Sequence, residues 1–115
     1  LELGNLSAKR DWGYAKEYVD GMYRMLQVSQ PDTYVLATGR TESVRDFCKL
    51  VFDQLEMDYR EYVEVDPRYF RPAEVDLLLA DPAKAKAELG WSPTVSFAGL
   101  VTMVVDADLQ RLQAR

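Results

Sequence analysis

The sequence predicts an α/β fold in which short strands are covered by helices, and three observations lead there. Apolar residues recur with helical spacing in three separate stretches. Short runs rich in strand formers lie between them. A composition of 48% hydrophobic and 29% charged residues is that of a globular chain. At 115 residues the chain has room for one compact domain, or for one part of a larger protein.

Residues 1–6 carry leucine at positions 1, 3 and 6 and are read as a strand that opens without a preceding cap or turn. After Gly13, Ala15, Tyr18, Val19, Met22, Met25 and Leu26 keep helical spacing until Gln30-Pro31-Asp32 ends the run. Residues 33–37 read as a strand closed by Thr38-Gly39. Ser43 is a helix N-cap with Asp46 as its capping-box partner, ahead of an apolar stripe through Val44, Phe47, Cys48, Val51, Phe52 and Leu55. Residues 59–65 and 75–80 read as two more strands. Asp81-Pro82 opens a short helix that ends at Gly90, with Trp91 supplying the apolar contact of a Schellman-type end. Ser96 caps a last helix whose apolar face runs through Phe97, Leu100, Val101, Val104 and Val105.

Several function classes drop out on composition. A net charge of -5 argues against broad nucleic-acid or membrane-surface binding. No apolar stretch approaches the roughly twenty residues that cross a bilayer. Cys48 is the sole cysteine, so an internal disulfide or thiolate cluster is impossible, and its place in an apolar stripe marks a structural thiol. Histidine is absent, which removes Ser-His and Cys-His triads. Asp106 and Asp108 read as solvated. A reducing, cytoplasmic setting is expected.

Two segments concentrate positive charge among aromatic residues and turn formers. One is Asn5-Leu6-Ser7-Ala8-Lys9-Arg10-Asp11-Trp12-Gly13, and the other is Asp66-Pro67-Arg68-Tyr69-Phe70-Arg71-Pro72-Ala73-Glu74. Arg10, Arg68 and Arg71 each offer a planar guanidinium fork suited to phosphate oxygens. Arg10 would stand at a loop tip, facing a phosphate near a helix N-terminus. Glu74 could accept hydrogen bonds from sugar hydroxyls beside that phosphate. The plainer alternative is a turn in which Asp11 caps a helix and the arginines pair with nearby carboxylates. No residue is a convincing acid–base catalyst, and no glycine-rich phosphate loop is present.

The same residues resemble one family. The stretch from Leu3-Gly4-Asn5 through Arg10-Asp11-Trp12-Gly13-Tyr14 to Tyr18-Val19 is similar to a signature of GDP-mannose 4,6-dehydratases, enzymes of the extended short-chain dehydrogenase/reductase type. Thr38-Gly39 with Ser43-Val44-Arg45-Asp46-Phe47, then Val65 to Val75, then Asp81-Pro82 to Leu89-Gly90-Trp91, resemble further blocks in the same order. Tyr14 departs from the family's usual histidine.

The resemblance implies that residues 1–115 are a C-terminal lobe that binds GDP-mannose. The NADP-binding Rossmann domain and the catalytic residues would lie in an N-terminal portion absent from this chain. It implies that Arg10 and Arg71 contact the substrate diphosphate, that Glu74 contacts the ribose hydroxyls, and that Asn5 and Lys9 stand near the nucleotide. The implied parent reaction converts GDP-mannose to GDP-4-dehydro-6-deoxy-mannose, a precursor of fucose- and rhamnose-type sugars. The enzyme would be a homo-oligomer with no nucleic-acid or membrane partner. Two alternatives are a related nucleotide-sugar epimerase or reductase, and a non-catalytic nucleotide-binding or interaction module.

Overall fold

The computed structural model describes residues 1–72 and 79–114. Among the described residues, two small sheets and four α-helices form a thin slab with principal extents of 53 × 39 × 20 Å. Its radius of gyration is 17.0 Å, against about 13 Å for a compact domain of 100 residues. Strand β1 (Glu2–Leu3) pairs in parallel with a strand near residue 65, whereas β2 (Lys9–Arg10) pairs antiparallel with β3 (Glu42–Ser43). The expected strand over residues 1–6 shortens to β1. Asn5 takes the backbone out of the ladder, because its Oδ1 accepts the Ser7 N–H at 3.0 Å and forms an Asx turn.

Helix α1 (Ala15–Met25) begins where the periodicity places it and ends a few residues before Pro31. Asp11 does not cap it. Tyr14 occupies the N-cap position without a side-chain hydrogen bond. Helix α2 (Val44–Gln54) carries the expected capping box: Ser43 Oγ accepts the Asp46 N–H at 3.0 Å, and the Asp46 carboxylate accepts the Ser43 N–H at 3.3 Å. Its next free donors are also taken, with Val44 N–H on the Ala8 carbonyl and Arg45 N–H on the Leu6 carbonyl. The first turn of α2 is thereby tied to the β1–β2 connection.

Residues 33–37 form no strand. Burial alternates over residues 33–36, with Tyr34 and Leu36 turned inward and Val35 exposed, and breaks at the buried Ala37, and no neighbouring strand supplies a ladder among the described residues. Residues 59–65 also depart from expectation. Asp58 Oδ1 accepts the Arg60 N–H, and this cap folds Tyr59–Glu61 into a 3₁₀ turn, leaving β4 (Glu64–Val65) as the partner of β1. Of residues 75–80, positions 75–78 lie outside the described residues, and Leu79 and Ala80 are irregular.

Helix α3 (Ala83–Leu89) starts one residue after Pro82, with Asp81 Oδ1 accepting the Ala83 N–H at 2.9 Å. It closes at Gly90 in the left-handed conformation, φ 65°, and the Trp91 N–H reaches back to the Ala85 carbonyl. Helix α4 (Phe97–Gln113) is capped by Ser96, whose Oγ accepts the Gly99 N–H. Phe97, Leu100, Val101 and Val105 are buried as predicted, while Val104 is 41% exposed because it faces away from α2.

Two cores hold the slab together. Phe97, Val101 and Val105 pack with Trp12, Phe47, Leu50, Val51 and Leu55, and the Phe47 ring lies 5.0 Å from Trp12 and 5.9 Å from Phe97. The second core centres on Trp91, which is wedged against α1 and Leu36 near Gly21. A Cβ at Gly21 would stand 2.8 Å from Leu36 Cδ1 and 3.0 Å from Trp91 Nε1. Gly21→Ala gains about 0.5–1 kcal/mol of helix propensity, but overpacking a buried contact costs about 1–3 kcal/mol. A net loss of stability is therefore expected, and a thermal midpoint above wild type would contradict this packing.

Glu17 fastens the same region. Its carboxylate accepts the Thr94 N–H at 2.6 Å, the Thr94 hydroxyl at 2.9 Å and the Val95 N–H at 3.0 Å. Burial alone would raise its pKa, but the hydrogen bonds from Thr94 and Val95 outweigh it and hold the group below the ordinary 4.5. A lowered folded pKa gives stability that is present above 4.5 and is lost as pH falls through the folded value. Glu17→Gln is expected to flatten this acid limb when the thermal midpoint is followed against pH. An acid limb of wild-type steepness in the variant would count against it.

Candidate functional site

The β1–β4 pair brings the start of the second basic segment against the residues that precede the first. The Asp66 N–H donates to the Leu3 carbonyl at 2.7 Å, so the chain entering the second segment is hydrogen-bonded to the residue before Gly4. Residues Pro67–Tyr69 then turn as a 3₁₀ helix over Gly4. A Cβ on Gly4 would lie 2.7 Å from the Tyr69 carbonyl oxygen, so only glycine admits this close approach. Asn5 follows directly, and its side chain is already engaged in the turn that leads to β2.

Lys9 and Arg10 occupy β2, opposite Ser43 and Glu42 respectively. Arg10 thus stands in a strand rather than at a loop tip, because the antiparallel pairing with β3 draws it into the ladder. Its Nη1 donates to the Lys9 carbonyl at 2.7 Å. Lys9 is exposed. The ladder is braced from behind by Trp12, whose Nε1–H donates to the Glu42 carbonyl at 3.3 Å.

In the second segment the arginines divide. Arg68 is taken by carboxylates: its Nη2 lies 2.6 Å from Asp66 Oδ2 and 3.3 Å from Glu2 Oε2, and its Nε donates to the same Asp66 oxygen. Hydrogen bonds from Arg68 hold the Asp66 carboxyl below its ordinary range. Arg68 is therefore a neutralised brace rather than a phosphate fork. Arg71 is exposed at the end of the described part of this loop. Glu74 lies outside the described residues.

Asp11 is the site feature that sequence reasoning missed. Its carboxylate accepts the Thr38 N–H at 3.0 Å, the Thr38 hydroxyl at 2.7 Å and the Gly39 N–H at 3.0 Å. These bonds fix the backbone immediately after Arg10 against the 38–40 turn. Tyr18 lies nearby, and burial, reinforced by the charges of Asp11 and Glu17, pushes its hydroxyl pKa up. It packs 5.9 Å from Trp91, which suits a structural phenol. Cys48 is buried, and burial raises its thiol pKa, in keeping with an inert role. Asp106 and Asp108 are exposed, the first accepting from Gln54 and the second paired with Arg111.

A family model described as GDP-mannose 4,6 dehydratase matches residues 1–104. The chain belongs to that family. Among curated relatives, GDP-mannose 4,6 dehydratase 2 of Arabidopsis thaliana is 53% identical over 96% of this chain and 30% of its own length. GDP-mannose 4,6 dehydratase of Homo sapiens is 41% identical over 98% of this chain and 35% of its own length. The chain therefore spans about a third of the curated relatives it matches.

Solved structures agree on the fold of this family member. A UDP-glucose 4-epimerase from Thermotoga maritima, solved with UDP-glucose, superposes with a TM-score of 0.82 at 23% identity, over 97% of this chain and 35% of that one. The RMD protein of Pseudomonas aeruginosa, solved with NADPH, gives 0.80 at 19% identity, over 92% of this chain and 34% of that one. The chain has the α/β architecture of extended short-chain dehydrogenase/reductase enzymes.

The described residues do not fit the dinucleotide that such enzymes hold. A dinucleotide diphosphate sits on a glycine-rich turn with free N–H groups at a helix start. Here the donors at the start of α2 are satisfied by Ser43, Ala8 and Leu6, Ser96 Oγ occupies the first turn of α4, and α1, which has no side-chain cap, follows the single Gly13 rather than a glycine-rich turn.

Proposed function

We propose that this chain is the nucleotide-sugar-binding portion of a GDP-mannose 4,6-dehydratase, the enzyme that converts GDP-mannose to GDP-4-dehydro-6-deoxy-mannose. The β1–β4 pairing carries the reading, since it seats the 66–69 turn on Gly4, next to Asn5, and two residues before Arg71. In this reading Arg10 and Arg71 clamp the substrate diphosphate, Glu74 accepts from the ribose hydroxyls, and Asn5 and Lys9 flank the nucleotide. Arg68 is not included, because Asp66 and Glu2 already hold it.

The task of this portion is positioning. Guanidinium groups that grip the diphosphate turn remote binding energy into orientation of the hexose, which is how a part without acid–base residues contributes to rate. NADP and the catalytic groups belong to a further Rossmann domain, so this portion alone is expected to be inactive. The exposed stripe of Val19, Met22, Tyr23 and Leu26 on one side of α1 supports work against such a neighbour. The same reading places the enzyme in the cytoplasm as a homo-oligomer.

Incubation of the full-length enzyme with GDP-mannose and NADP tests the assignment, with the product identified by mass and NMR. The 4-dehydro-6-deoxy sugar is expected. A C-4 epimer or a fully reduced deoxy sugar would instead assign a sister activity.

A further inference from the structure

Several basic side chains on this acidic surface have a carboxylate partner. Arg24 pairs with Asp20, Lys49 with Asp53, Arg60 with Asp58, Lys84 with Asp32 and Arg111 with Asp108. Arg40 and Lys86 depart from this pattern. Among the described residues neither side chain has a hydrogen-bond or ion-pair partner, yet both line one cavity of about 340 Å³, together with Thr38, Asp81, Trp91 and Ser92. That volume is within the range of small-ligand pockets.

The two cations reach the cavity from separate elements. Arg40 follows Gly39, whose φ of 78° turns the chain, and a Cβ added at Gly39 would lie 3.5 Å from the Pro82 ring. The Arg40 N–H donates to Thr38 Oγ1 at 3.2 Å, which fixes the turn. Lys86 sits two residues beyond Lys84 on α3, about 200° around the helix. Lys84 is consequently directed to Asp32 while Lys86 faces the Arg40 side. Asp81 is the one acid in the lining, and its Oδ1 accepts the Ala83 N–H. Two cations beside one carboxylate and the Ser92 hydroxyl make a site for an anion, the Thr38 hydroxyl being already donated to Asp11.

We propose that this cavity between the 38–40 turn and α3 binds the phosphate group of a small phosphorylated ligand, held by Arg40 and Lys86. The site is separate from the diphosphate clamp proposed for Arg10 and Arg71. It is nevertheless joined to Arg10, because Asp11 grips Thr38 and Gly39 from the next position in the chain.

The test uses full-length enzyme saturated with GDP, so that the clamp is filled before inorganic phosphate is titrated in by calorimetry. One saturable phosphate site per subunit is expected, weakened at least about tenfold in Arg40→Gln/Lys86→Gln. GDP affinity without phosphate is expected to be the same in both proteins. No saturable phosphate heat in wild type, or an equal heat in the variant, would overturn the site. Failure of wild type to bind GDP would count against the proposed function alone, because the phosphate titration reads the Arg40–Lys86 cavity independently.

Discussion

Trp91→Ala is expected to destabilise the protein by about 3–5 kcal/mol, the range for emptying a well-packed aromatic site. Trp91 is 2% exposed and joins α3 to α1. It follows the left-handed end of α3, it fills the space that Gly21 leaves on α1, and its Nε1–H donates to the Glu17 carbonyl at 2.7 Å. Removing the ring leaves a cavity against Leu36 and unseats the anchor that Glu17 provides for Thr94 and Val95. Trp91→Phe keeps most of the apolar area and forfeits the hydrogen bond, so a smaller loss of about 1 kcal/mol is expected. Denaturant unfolding of the full-length enzyme provides the measurement. Equal losses for the two variants would show that the hydrogen bond, not the packing, holds this corner.

The second large effect concerns the proposed clamp. Arg71→Ala in the full-length enzyme is expected to weaken GDP-mannose binding by about 2–3 kcal/mol, as for the loss of a charge-assisted bidentate contact. Arg68→Ala provides the contrast. Arg68 is already held by Asp66 and Glu2 in an exposed network, so its removal should leave affinity nearly unchanged. Titration calorimetry that found Arg68→Ala the more damaging would reverse the division drawn between the two arginines.

What was legible in the sequence was local. The Ser43–Asp46 box, the Ser96 cap and the Gly90 terminus each act within about four residues, and all three appear as expected. The strand expectations were weaker for a physical reason: a strand exists through its partner. Residues 33–36 keep the alternation of a strand without a ladder, and at residues 59–65 the Asp58 cap overrode strand propensity. The family signature located both basic segments, and pairing of strands some sixty residues apart sets Asp66 against Leu3, beside their near ends. Asp11 escaped because its partners lie 27 and 28 residues away, where no local pattern points to them. The pairing of Arg68 was open to inspection, since Asp66 stands two residues before it and caps the same turn.

The central claim is that Arg10 and Arg71 act on one ligand, and a crystal structure of the full-length enzyme with GDP-mannose tests it most directly. The account predicts both guanidinium groups within hydrogen-bond distance of the same diphosphate, with Glu74 at the ribose hydroxyls. A diphosphate bound elsewhere, with Arg10 and Arg71 on opposite sides of an intact fold, would contradict it.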